Sequence, residues 1–249
     1  MPASFVMRSH FGPKRVLSYR CVEWSDAACH RGCNVVNQDL GDVRFCCRWR
    51  VVSGRVPLKN RHMRALGART LDGEKIGAPL VAWVRESVDW SLGNVAGYDD
   101  ATLVLKVHAG GRASLDVTEY RRPKERSAND LLRRAERGRR EAESCGVSSE
   151  DLWVVSGGVL LWGLTMGAYA CGTSSLVSQL ARTLGYAVTV VDDLAAQLAE
   201  TGFRPDMEVF LASDEHGVLA ATDRTGTIAQ RFESSYNTLL ADERRKARR

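Results

Sequence analysis

The chain has 249 residues, enough for one large domain or two small ones at roughly 100–200 residues each. Hydrophobic residues make up 44%, charged residues 26% and aromatic residues 7%, which excludes a disordered or fibrous chain and one that needs disulfide stapling to fold. Lys and Arg outnumber Asp and Glu by 35 to 30, but residues 244–249 carry five of the positive charges, so the body is close to neutral. The other basic run, residues 121–140, holds nine Lys and Arg against three acids and has no interleaved aromatics to stack on bases. It reads as a solvated helix face, and no nucleic-acid partner is expected. Seven cysteines, an odd number without a secretory leader ahead of them, point to a reduced cytoplasmic setting. Cys21, Cys29, Cys33, Cys46 and Cys47 with His30 lack the paired spacing of structural zinc sites, so no metal is expected and buried thiols are the simpler reading. Residues 152–181 are uncharged and long enough to cross a bilayer, but Ser156-Gly157-Gly158 and the later glycines break them into two buried strands and a loop, so no membrane role is expected.

In chain order, the first forty residues show little periodicity. Residues 45–52 have strand character, Ser53-Gly54 is a turn signal, and residues 55–58 read as the return strand of a hairpin. Asn60 is expected to cap a short helix through Leu66, and residues 79–90 place Leu80, Val81, Val84 and Val88 on one face of another. Residues 101–107 and 113–120 read as strands joined at Gly110-Gly111, and the charged residues 121–129 as a linker. Ser127 or Asn129 then caps a helix with the stripe Leu131, Leu132, Ala135, Ala142 and Cys145, ended by Gly146. Strands are expected at 152–155 and 159–164, a helix from Gly172 to Leu184 and a strand at 187–191. A short helix around Leu194, strands at 208–212 and 217–220, and a terminal helix through Phe232 and Tyr236 complete an α+β chain in two halves.

Several short motifs in this order carry a likeness. Leu40-Gly-Asp-Val-Arg-Phe45 is similar to a Tyr-Gly-Asp-Gly-x-Phe-Glu-Thr strand start, and Val52-Ser-Gly-Arg-Val-Pro-Leu-Lys-Asn-Arg-His62-Met63 to a hairpin leading into His-x-x-Arg-Leu. Residues 135–150 resemble a helix ending in Gly-x-x-Glu, and Gly172-Thr-Ser through Glu208-Val-Phe-Leu is similar to Gly-Ile-Thr-Arg through Asp-Glu-Val-Phe-Leu. Over residues 40–240 the chain thus resembles the class IV pyridoxal-phosphate enzymes, the branched-chain and D-amino-acid aminotransferases and aminodeoxychorismate lyase. The resemblance implies a two-domain α+β fold, with an N-terminal α/β domain at 1–122, a linker at 123–130 and a C-terminal α/β domain at 131–249. It also implies a homodimer and a small-molecule substrate in the cleft between domains.

Function must come from the site, and there the chain departs from the family. The family's lysine, which forms the internal aldimine and moves the substrate proton, falls within residues 127–130, where no lysine stands. Lys124 is the nearest candidate, and only with an insertion. The glutamate that holds the pyridinium nitrogen aligns with Trp162, whose indole N–H can only donate. The phosphate-binding arginine aligns with Ala65, and Arg64 is offset by ~100° around a helix. Beyond Tyr169 the chain runs almost directly into Cys171-Gly172, so one wall of the family's site is shortened. Gly172, Thr173 and Ser174 keep the amides and hydroxyls that suit a phosphate or carboxylate, an ordinary helix cap being the alternative. Cys46-Cys47 stand where the family has Glu-Thr, so one of them faces the cleft. Cys171 adjoins a helix start that can lower a thiol's pKa, packed thiols being the alternative, with His62 and His108 the nearest bases. Trp49, Trp153, Trp162 and Tyr169 could line a pocket for a flat or apolar substrate.

The expectation is therefore a class IV-like scaffold binding a small carboxylate or phosphate-bearing metabolite through Gly172, Thr173, Ser174, Arg64, Trp162 and Tyr169. Without pyridoxal phosphate, Cys46, Cys47 or Cys171 would carry lyase or transferase chemistry in a specialised biosynthetic pathway. Two alternatives stand beside it: a pyridoxal-phosphate aminotransferase or lyase using Lys124, and a catalytically inactive partner or ligand-binding regulator.

Overall fold

The computed structural model of the chain describes residues 42–93, 99–165 and 168–248. Cys21, Cys29, His30 and Cys33, the irregular first forty residues, and Leu40 and Gly41 of the first motif lie outside the described residues. In chain order the elements are β1 (Val43–Val52), α1 (Lys59–Gly67), β2 (Thr70–Leu71), β3 (Glu74–Lys75), α2 (Ala78–Gly93), β4 (Asp100–His108), β5 (Ala113–Glu119), α3 (Ala128–Cys145), β6 (Asp151–Ser156), β7 (Val159–Gly163), α4 (Gly172–Thr183), β8 (Ala187–Val191), α5 (Leu194–Thr201), β9 (Glu208–Ser213), β10 (Gly217–Ala220) and α6 (Thr227–Ala247).

The first half is a three-stranded antiparallel sheet in the order β1-β4-β5. Phe45, Cys47, Trp49 and Val51 alternate along β1 onto its apolar face, where Leu80, Val84, Val88 and Leu92 of α2 meet them with Met63 and Leu66 of α1. The expected return strand after Ser53-Gly54 does not form. Arg55 makes one bridge to Val52, Pro57 has no N–H for a ladder, and Leu58 turns into α1 with a left-handed φ of 59°. Helix α1 starts at Lys59 without a side-chain cap, so Asn60 sits inside it. The β2–β3 pair, closed by Asp72-Gly73, is an element the sequence reading did not anticipate, although Asp-Gly is a hairpin signal.

The second half is a five-stranded sheet in the order β10-β9-β6-β7-β8, antiparallel except for β7 and β8. Helices cover both faces because its central strands are apolar on both. Leu152, Val154, Val209 and Leu211 pack under α3 and α5, while Trp153, Val155, Phe210 and Ala212 pack under α4 and α6. The uncharged run at 152–181 is thus β6, β7 and α4, and no helix among the described residues is long and apolar enough to cross a membrane. Helix α3 opens with a reciprocal Ser127–Asp130 capping box and ends at Gly146 with φ of 60°. A Cβ there would come within 2.6 Å of Phe45, so glycine serves both the turn and the packing of β1.

The two sheets meet at the turn between β9 and β10. The Arg50 amide of β1 donates to the Asp214 carbonyl at 2.9 Å. Glu215 accepts from the Thr102 hydroxyl at 3.2 Å and lies 3.8 Å from the Arg48 guanidinium, which also pairs with Glu141 of α3 at 3.2 Å.

Candidate functional site

Asp214 follows the last residue of β9 and is 4% exposed, a charge carried into the interior at the end of an apolar strand. Its carboxylate sits on the N-terminus of α4. The Gly172 amide donates to one oxygen at 3.1 Å, and the Thr173 amide and hydroxyl donate to the other at 2.8 and 3.0 Å. These are the first, otherwise unsatisfied, N–H groups of a helix, and the helix dipole adds to their pull. On the other side His62 of α1 brings its Nδ1 to 3.3 Å, and its ring stacks on Trp49 of β1 at 5.5 Å between centroids. A Cβ on Gly172 would come 2.7 Å from that nitrogen, so the approach of α1 to α4 needs glycine there. Burial alone would push the Asp214 carboxyl up. His62 and the Thr173 and Gly172 amides outweigh it and hold the group below its ordinary range.

Beside this cluster lies a second buried carboxyl with different neighbours. Asp151 accepts from the Ser149 hydroxyl at 2.7 Å and from the Trp162 indole N–H at 3.1 Å. Its donors are neutral, and burial pushes its pKa up to about 6. Trp162 stacks on Trp153 at 5.0 Å with the rings 11° apart, and Trp153 continues onto Phe210.

Helix α4 is capped by Cys171, whose sulfur accepts from the Ser174 amide at 3.3 Å. The expected activation of this thiol is not found. Burial, with the Asp214 and Asp151 carboxyls beside it, pushes the Cys171 thiol well above its ordinary value, outweighing the helix start. Cys47 is the member of the Cys46-Cys47 pair on the apolar face of β1. Burial raises its thiol too, against the pull of Arg69, while Cys46 is half-buried.

The other sequence candidates are dispersed. Lys124 is exposed ahead of α3, and Ser127, the first residue of the expected lysine window, caps that helix instead. Arg64 is exposed on α1, whereas Arg61, one turn earlier, reaches across to α4 and donates to Ser175 at 3.1 Å and to Gln179. The Tyr169 hydroxyl accepts from the Thr70 amide at 3.1 Å on the surface, and His108 is paired with Ser114 within the first sheet. The structure therefore brings Thr173, Ser174, Trp162 and Cys171 together with His62, and leaves Lys124, Arg64 and Tyr169 outside the cluster. Asp214 and Asp151, which organise the cluster, had no place in the sequence reading. Their signal was the occurrence of an acid at the border of an apolar strand. Among the described residues no group of three His, Cys, Asp or Glu side chains is arranged to hold a metal ion.

No family model matches the chain, and neither does any of the curated proteins. Solved structures do. A Thermotoga maritima protein described as a branched-chain amino acid aminotransferase superposes on 80% of this chain and 86% of its own, with a TM-score of 0.53 at 12% identity. A Legionella pneumophila protein described as a 4-amino-4-deoxychorismate lyase matches over 78% of this chain and 90% of its own, with a TM-score of 0.51 at 14% identity. The T.th. branched-chain amino acid aminotransferase, complexed with N-(5'-phosphopyridoxyl)-L-glutamate, matches over 86% and 92%, with a TM-score of 0.51 at 16% identity. The fold is that of the class IV aminotransferases. The α+β arrangement expected from the motif order is therefore the one observed, with the class IV segment order running from β1 to α6. At these identities the class IV likeness defines the scaffold, and the chemistry has to be argued from the side chains.

Proposed function

We propose that this chain is a class IV aminotransferase scaffold that works without pyridoxal phosphate, as a non-catalytic binding protein. The residues standing at the class's coenzyme grips do not fit that group. The lysine window holds a helix cap and no amine. Trp162 faces the buried carboxyl of Asp151 with a donor where the ring nitrogen would need an acceptor. Ala65 offers the phosphate nothing, and Arg64 is exposed on α1. The observation that carries the reading is the fourth grip. The helix start that would suit a phosphate already holds the chain's own anion, Asp214, with three donors and His62 around it. Displacing a buried carboxylate bonded in this way would strip it of its three donors, a cost of several kcal/mol.

The enzyme reading, with Cys46, Cys47 or Cys171 as nucleophile in a specialised biosynthetic pathway, has less support, because burial disfavours the thiolate at Cys47 and Cys171. A small-molecule ligand and assembly as a homodimer belong to the same proposal as expectations from the resemblance, and a cytoplasmic setting as an expectation from the cysteines. Two measurements test it. Purified protein incubated with pyridoxal phosphate and then reduced with borohydride is expected to show no saturable one-to-one adduct by absorbance and intact mass. A stoichiometric adduct that vanishes in Lys124→Ala overturns the proposal. Inorganic phosphate is expected to raise the Tm of Asp214→Ala, or of Asp214→Ser if the first does not fold, while leaving the parent protein's Tm unchanged. An equal rise in the parent protein would mean that the helix start is open.

A further inference from the structure

A second feature of α4 lies along its length, away from the helix start. A groove of about 320 Å³ is lined by Ser175, Ser178, Gln179, Arg182 and Thr183 of α4 and by Trp162 of β7. That volume is in the range of sites for small organic ligands. The α4 residues recur at three- and four-residue spacing, one stripe of the helix. Ser178 is only 7% exposed, yet its hydroxyl has no hydrogen-bond partner among the described residues. That hydroxyl opens onto the groove and is free to bond to whatever enters it.

The other walls define the chemistry of the occupant. One face of the Trp162 ring is covered by Trp153 and its N–H edge is held by Asp151; the residue is 9% exposed, and the part left open borders the groove. Val190 pairs with Trp162 in the parallel register, which puts it on the same side of the sheet, and it is 55% exposed. This part suits a flat apolar group. At the polar end, Arg182 is exposed and makes no ion pair or hydrogen bond among the described residues. Arg61, which reaches Ser175 and Gln179, adds a second guanidinium, with Arg64 close enough to be felt electrostatically by it. Guanidinium groups beside hydroxyls and a side-chain amide suit a carboxylate or phosphate.

We propose that this groove binds a small planar aromatic acid. The ring lies against Trp162 and Val190, the acid group meets Arg182, and the Ser178 hydroxyl bonds to the ligand. The proposal does not depend on the coenzyme reading above, because residues 175–183 and Trp162 line the groove whether or not Asp214 closes the helix start. The test titrates benzoate and phenyl phosphate into the full chain by calorimetry, with acetate and inorganic phosphate as probes that lack the ring. Saturable one-site binding is expected for at least one ring-bearing probe, at least tenfold tighter than for its ringless counterpart. Whichever of benzoate or phenyl phosphate binds tighter identifies the acid group. Arg182→Gln is expected to weaken binding at least tenfold, and Ser178→Ala several-fold, with Tm for Arg182→Gln unchanged because that side chain is exposed. No saturable binding, equal affinity for the ringless probes, or full affinity in Arg182→Gln overturns the proposal.

Discussion

Asp151 and Asp214 show how the charge on its donors decides which way a buried carboxyl is shifted. Both are buried in one cluster, and each senses the other. Asp214 has two helix amides, a hydroxyl and His62, and is held low. Asp151 has the Ser174 and Ser149 hydroxyls and an indole N–H, all neutral, and burial pushes it to about 6. A carboxyl whose pKa is raised on folding adds stability below the unfolded value of about 3.9, and that stability is lost as pH rises through the folded value. The stability of the parent protein minus that of Asp151→Asn is therefore expected to fall by about 2 kcal/mol between pH 4 and pH 6.5, measured by urea unfolding at each pH. The difference isolates Asp151 from opposing groups such as His216. Burial and the neighbouring arginines hold that imidazole well below its ordinary value, so its contribution fades as pH falls through the ordinary histidine range. A flat difference curve would mean that Asp151 is charged throughout.

At the scale of elements, the helix starts divide into those satisfied locally and those satisfied from a distance. Helix α3 is closed by Ser127 and Asp130, three residues apart, and that cap could be read directly from the sequence. Helix α6 has Gly226 at its cap position with no side-chain bond. Its Ile228 and Ala229 amides donate instead to Glu208 of β9, at 3.0 and 2.7 Å. Asp214 does the same for α4 from forty-one residues away. Glu208→Ala is expected to cost about 1–2 kcal/mol in chemical denaturation by exposing two helix amides, and Glu208→Gln less, since it keeps an acceptor and loses only the charge on the dipole. Equal losses for the two would assign the whole effect to charge. These caps were not legible because no spacing rule links an acid to a helix start nineteen or more residues away. The missed β2–β3 pair is different: Asp72-Gly73 was in view, but two-residue strands give no periodicity to notice.

Among the described residues, polar contacts join the two halves at the turn between β9 and β10, at the end of α6 and between α1 and α4. Arg48, Arg50 and Thr102 of the first sheet meet Asp214 and Glu215 of the second, and Arg244 of α6 reaches Asp100 of β4 at 3.1 Å. Unfolding either half would leave buried partners in the other without their counterparts, so the halves are expected to unfold together. Scanning calorimetry should show one transition whose calorimetric and van 't Hoff enthalpies agree, and two resolved transitions would show that each sheet melts alone. The same contacts explain the limits of reading from the sequence. Alternation along β1, the apolar runs of β6 and β9 and the stripes of α2 and α3 are properties of neighbours in the chain, so strand and helix order, and with them the class IV likeness, followed from residues within a few positions of one another. The absence of a lysine between 127 and 130 was equally plain. What the start of α4 holds was not, because the partnership of Asp214 with Gly172, Thr173 and His62 joins three distant segments. Only folding brings those groups together, and the donors met there set the charge of each buried carboxyl.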